Sequence, residues 1–412
     1  MTSRLIATFL AASVTALVGA QPNTAGEWPQ WRGPERSGIS KETGLAKSWP
    51  ASGPPLVWTA TGLGSGYGSV AIKDGHIFVQ SMRNRTSMVH KLTLADGKYV
   101  WSKTIGTATS NDRGPGPRST PTIDGDRLYV LTETGDLACL KMADATVVWQ
   151  RNILRDFSGR NIQWLLSESP LVDGDFVVVT PGGRNAGMVK LDKMTGKTVW
   201  AATELSDEAG YSSVVMADIQ GVKAYTTITG SAAVGVRASD GKVLWRYEAP
   251  ANDTANITTP LVSANQVFYT SAYGTGGGLL NLRANNGGVS INEVYFTREM
   301  QNHHGGVVLV DGVLYGFNNA ILAALDFASG RPLWRDRSVG KGALTYADGR
   351  LYILSEGHVM GLADVSRQGY KETGRFQIPD QGLPSWAHPV VAGGRLYIRS
   401  QNMLWAYDIR SE

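Results

Sequence analysis

Leu191-Asp192-Lys193-Met194-Thr195-Gly196-Lys197-Thr198-Val199-Trp200 decides the fold, because its frame returns along the chain with tryptophan in register. It recurs at Leu92–Trp101 (LTLADGKYVW), Leu140–Trp149 (LKMADATVVW), Val236–Trp245 (VRASDGKVLW) and Leu325–Trp334 (LDFASGRPLW). A second block precedes each copy: a turn of the Asp-Gly type, then an alternating strand. Examples are Asp124-Gly125-Asp126-Arg127-Leu128-Tyr129-Val130 and Asp348-Gly349-Arg350-Leu351-Tyr352-Ile353. Asp-Gly between alternating apolar residues signals a hairpin, since glycine accepts the positive φ of the tight turn. With a small-residue strand in front (Ser119-Thr120-Pro121-Thr122-Ile123) and a third strand between the two blocks (Leu137-Ala138-Cys139-Leu140), each unit reads as four short antiparallel strands. Repeats of roughly 40–45 residues with four strands each are the pattern of a β-propeller.

The tryptophan-type positions are Trp58, Trp101, Trp149, Trp200, Trp245, Phe296, Trp334 and Phe376. Trp58 precedes the first complete unit, so Leu56-Val57-Trp58-Thr59 is expected to supply the outer strand of the last blade and close the ring. The expectation is an all-β, eight-bladed propeller, with seven blades as the alternative. The tryptophans Trp58, Trp101, Trp149, Trp200, Trp245 and Trp334 are assigned as structural spacers between blades. Residues 54–412 form the propeller, and 21–53, rich in Pro, Gly and Trp, are expected to wrap it.

Composition agrees with one large core: 412 residues, 42% hydrophobic, 18% charged, with 49 glycines and 12 tryptophans. The net charge of +4 is spread without a basic run, so nucleic acid is not an expected partner. Cys139 is the single cysteine, which excludes an intrachain disulfide and a cysteine-based zinc or iron–sulfur site within one chain. Residues 1–20 carry Arg4, an apolar run from Leu5 to Val18, and Val18-Gly19-Ala20, the layout of a cleavable signal peptide. A monomer in the periplasm or outside the cell is therefore expected, with no membrane span and, for want of a cysteine at the cleavage point, no lipid anchor.

The block Leu191–Trp200 and its copies resemble the pyrroloquinoline quinone (PQQ)-type repeat, and the resemblance covers the chain from about Trp28 to its end. The opening Trp28-Pro29-Gln30-Trp31-Arg32-Gly33-Pro34 resembles the start of exported bacterial propellers of this kind. The repeat resembles two groups: quinoprotein alcohol dehydrogenases and the non-catalytic scaffold lipoprotein of the outer-membrane β-barrel assembly machine. The first group implies an adjacent cysteine pair and long extra loops, both missing here. The second implies a leader cysteine, also missing.

In a propeller the first strand of each blade lines the central channel, and ligands meet its mouth. Aligning the residues before each aromatic strand gives Arg118, Glu168, Tyr211, Asn302, His303, His304, Lys341, Trp386 and His388 as ligand-binding candidates. Arg118 with Glu168 reads as a clamp for an anionic or quinone oxygen, or as a charge pair closing the channel. His303 and His304 read as base, metal ligand or polar packing. Neighbours on a strand point to opposite faces, so both reach one site only if the chain bends there. Trp386 reads as a stacking platform or a channel plug. Glu168, Asp112 and Asn302 are the oxygen donors available to calcium, but no Asp-rich loop is present, and no metal site is assigned. The expected function is a non-catalytic scaffold of the bacterial cell envelope binding an envelope or outer-membrane protein or a small ligand, with no catalytic residue and no cofactor. The alternative is a dehydrogenase of alcohols or sugars using PQQ with calcium.

Overall fold

The structure is a computed structural model that describes residues 26–411. The signal-peptide expectation on residues 1–20 lies outside the described residues. Eight four-stranded antiparallel sheets follow one another along the chain, and the short helix Ile153–Asp156 is the only one among the described residues. The innermost strands are Ala71–Lys73, Thr122–Asp124, Leu171–Asp173, Val215–Ile219, Leu261–Ser263, Val307–Val310, Gly342–Ala347 and Val390–Ala392, which begin blades 1 to 8. Neighbouring innermost strands approach one another around the ring. In blade 8 the outermost strand is Leu56–Ala60, paired to Met403–Asp408, so chain start and chain end close the ring as the repeat count requires. Closure removes the open sheet edge.

Serine and threonine in the small-residue strands knit the innermost layer. Ser69 N–H donates to Thr120 Oγ1 at 3.1 Å, Thr120 N–H to Ser169 Oγ at 2.9 Å, and Ser169 N–H to Ser213 Oγ at 2.9 Å. Farther out, each tryptophan of the repeat reaches across to the following blade. Trp58, Trp149 and Trp200 donate their indole N–H to the carbonyls of Leu94, Lys193 and Ala238, and Trp334 donates to that of Ser366. The ring of each of the first three lies on the hairpin glycine of that next blade: a Cβ at Gly97, Gly196 or Gly241 would stand 2.7 Å from it. This explains the Gly of the repeat twice over, since these glycines also have φ near +70° to +79°.

Two positions depart from the sequence reading. A bulge precedes the tryptophan position in every complete blade, so strand pairing locates it better than residue counting. In blade 5 the paired residue is Tyr295, which packs on Gly330 and donates to Phe327 O at 3.0 Å, while Phe296 is exposed. In blade 7 the position is Gly374, not Phe376, and the indole of Trp49, from the segment before the ring, fills the space above it. Trp49 then meets Tyr352 at 5.8 Å and Phe376 at 5.6 Å between ring centroids.

The segment 26–53 does more than lie on the ring. Trp28 bridges to Ile72 in blade 1 and Ile39 to Tyr346 in blade 7. Between these anchors the chain enters the channel, where Arg36 donates to the carbonyls of Ser169, Pro170 and Val214, and Arg32 to that of Val307. Burial lowers the pKa of both guanidinium groups, to about 10 for Arg32 and about 9 for Arg36.

Candidate functional site

The connections between blades gather at one end of the channel, where the innermost strands begin. There they enclose a cavity of about 540 Å³, floored by Trp31 and Arg32 of the channel segment. A second cavity of about 250 Å³ lies along the same strands beyond Arg32 and Arg36. Trp31 is fixed by an indole N–H to Thr259 Oγ1 at 2.9 Å and by His388, whose ring lies 4.5 Å away.

Six of the nine anticipated residues line the larger cavity: Arg118, Tyr211, His303, His304, Lys341 and Trp386. Arg118 is held by the carbonyl of Gly116 at 3.0 Å, and its guanidinium stands 5.2 Å from the centre of the Tyr67 ring. Tyr67 also covers one face of Trp386, at 4.5 Å and 31°. Trp386 is thus part of a fixed aromatic wall, its N–H donating to Glu356 Oε1 at 2.9 Å. Residues 303–305 leave the strand geometry, and both imidazoles turn to the same side, with Nδ1 atoms 3.1 Å apart. Burial is the first cause that keeps both neutral, reinforced by Lys341; His303 is lowered to about 3 and His304 well below its ordinary value.

The other three do not reach the cavity. Glu168 is buried in the ring wall, where it accepts from Thr180 N–H at 2.6 Å and faces Arg36, so the Arg118–Glu168 clamp is not formed. Asn302 is wholly buried, donating to the carbonyls of Gly306 and Phe317, each at 3.1 Å. His388 lies behind Trp31 and contacts the His304 carbonyl at 2.8 Å. In each case backbone groups of a buried turn engage part of the side chain, while Glu168 Oε2 and His388 Nδ1 are left buried without a partner among the described residues.

Sequence reading missed Trp31, Arg113, Trp164, Tyr273 and Glu356. Glu356 was within reach: Leu351-Tyr352-Ile353-Leu354-Ser355-Glu356 repeats Leu128-Tyr129-Val130-Leu131-Thr132-Glu133, so a glutamate after the second strand recurs across blades. Trp164 and Arg113 sit in connections with no repeat frame. They are joined by Asp112, which accepts the Trp164 indole N–H at 3.0 Å, while the Arg113 guanidinium lies 5.6 Å from the centre of the indole.

The lining is therefore aromatic (Trp31, Trp164, Trp386, with three tyrosines) and cationic (Arg32, Arg113, Arg118, Lys341). Glu356 is its single carboxylate, and that is engaged by Trp386 and by Lys341 at 3.2 Å. Such a surface suits a planar or aromatic-edged anion. It does not suit the calcium of a quinoprotein centre. Calcium takes six to eight oxygens, whereas Asp112, Glu168 and Asn302 are spread over three separate environments.

Comparison with known proteins bears on the fold and the family. The family model described as outer membrane protein assembly factor BamB matches residues 85–336. The outer membrane protein assembly factor BamB of Moranella endobia (strain PCIT) is 22% identical over 290 residues, which cover 69% of this chain and 61% of that relative's length. The chain thus spans about three fifths of the curated relative it matches. Among solved structures, BamB from Moraxella catarrhalis superposes with a TM-score of 0.60 at 13% identity, covering 86% of this chain and all of the other. The quinohemoprotein alcohol dehydrogenase of Comamonas testosteroni superposes with 0.66 at 12% identity, covering 94% and 82%. At these identities the two superpositions show the propeller fold.

Proposed function

Because the chain belongs to the family of the outer membrane protein assembly factor BamB, we propose that it is a non-catalytic propeller of the bacterial cell envelope, exported and working as a scaffold beside outer-membrane assembly proteins. Its binding site, on this reading, is the channel mouth, which receives an anionic group. The observation that supports the reading is the lining itself: four cationic side chains and six aromatic ones around a cavity whose one carboxylate is already paired. The same observation counts against the dehydrogenase alternative, since among the described residues no calcium donor set assembles at the mouth and its one carboxylate is not free to act as a base.

PQQ, a planar tricarboxylate, is a suitable probe. Titrated into chelator-stripped, dialysed protein while tryptophan fluorescence is followed, it should quench the emission equally with and without added calcium. Binding that requires calcium, together with alcohol-dependent reduction of a dye acceptor, would favour the dehydrogenase.

A further inference from the structure

Two imidazoles and a carboxylate converge at one point of the mouth. His303 Nδ1 and His304 Nδ1 are 3.1 Å apart, and His304 Nδ1 is 3.6 Å from Glu356 Oε1. Donor atoms of all three residues lie within 4.8 Å of one another, and a shared metal with bonds of about 2.0–2.2 Å needs every pair within about 4.4 Å. The bend at 303–305 makes this possible, because a regular strand would send the two rings to opposite faces.

Zinc–nitrogen and zinc–oxygen bonds are about 2.0–2.2 Å. With such bonds the 3.1 Å separation corresponds to an angle at the metal of about 98°, and the 3.6 Å separation to about 120°. These values bracket the tetrahedral angle. The outer contacts suit metal ligands as well. His303 directs Nε2 to the Tyr273 hydroxyl at 2.8 Å, and Glu356 is oriented by the Trp386 indole N–H. His304, by contrast, has no such outer contact, its Nε2 being buried without a partner among the described residues.

We propose that His303, His304 and Glu356 form a site for a divalent transition metal, Zn²⁺ by its two-imidazole, one-carboxylate donor set, with a fourth position open to the mouth cavity. Imidazole and carboxylate suit Zn²⁺ among the common divalent ions, and three protein ligands with one open position is the arrangement of an exchangeable site. The open position faces the cavity that Arg113 and Arg118 line, so the exogenous ligand it takes is anionic or water. Lys341 opposes the metal: its ammonium, 3.2 Å from Glu356 Oε1, competes for the same carboxylate. That competition supplies a signature that a merely structural histidine cluster would not show.

The test uses Co²⁺ and Zn²⁺ alone, on the intact protein stripped with a chelator and dialysed. Co²⁺ should develop visible ligand-field absorption saturating at one equivalent per chain, and Zn²⁺ should displace it. Affinity should fall at least about tenfold in His303→Ala and in Glu356→Gln, and rise in Lys341→Met. Glu356→Gln is nearly isosteric and keeps an acceptor for Trp386, so it reports on the metal even should His303→Ala fail to fold. Absence of the cobalt spectrum, or an affinity unchanged in Glu356→Gln, overturns the site. The assay contains no anion probe, so its failure leaves the anion-binding reading of the mouth standing.

Discussion

Gly196 and Trp149 together form one joint of the ring. The glycine has φ +69° and no room for a Cβ, the nearest indole atoms standing 2.7 Å from where it would be. Gly174 has φ +56° but open space around it. Gly196→Ala should therefore cost about 2–4 kcal/mol in urea unfolding, from strain plus overpacking, and Gly174→Ala only about 1–2 kcal/mol from strain. Equal costs would show that the indole does not dictate the glycine. Glu168 gives a second residue-scale expectation. Burial raises its pKa to about 7. The folded protein then binds more protons than the unfolded chain between about pH 4.5 and 7, and stability falls as pH rises through that window. Glu168→Gln should thus become progressively more stable relative to the parent across those pH values, by roughly 3 kcal/mol in all. A difference that does not vary with pH would contradict the assignment.

At the scale of the element, the segment before the ring completes parts of the propeller that the repeats leave unfinished. Trp49 fills the place above Gly374 where other blades carry their own aromatic ring. Trp49→Ala should accordingly destabilise about as much as Trp200→Ala, about 3–5 kcal/mol by thermal or denaturant unfolding, although it lies outside every repeat. A much smaller loss would mean that Phe376 and Tyr352 close the gap by themselves. The same element shows why some of the architecture was illegible beforehand. Blade number, strand order and ring closure followed from the Trp and Asp-Gly frames, because those carry local turn and packing chemistry. Phe296 was misplaced because blade 5 ends in a long pair of strands with two adjacent aromatics, Tyr295 and Phe296, and Phe376 because Gly374 leaves its position to an indole some 325 residues away in sequence. The mouth was half legible on similar grounds. Residues next to a repeat boundary were found, whereas Trp31 enters from the channel segment and Arg113 and Trp164 from connections with no frame.

For the whole molecule, closure by Leu56–Ala60 makes the last blade depend on the first part of the chain. A variant lacking residues 1–60 should lose the single cooperative unfolding transition and associate through the exposed edge of Met403–Asp408, as sedimentation would reveal. A monodisperse, cooperative variant would show that closure is dispensable. Function also belongs to this scale, since the mouth draws on nearly every inter-blade connection and on the channel segment together. The anion site at the mouth is tested by titrating chelator-stripped protein with PQQ, with and without added calcium, and repeating the titration with Arg113→Ala/Lys341→Ala. Binding should be indifferent to calcium, at least about tenfold weaker in the double variant and without dye reduction by alcohols. No binding to the folded protein, or binding and dye reduction that both require calcium, would overturn the reading of the mouth as the anion site of a non-catalytic propeller.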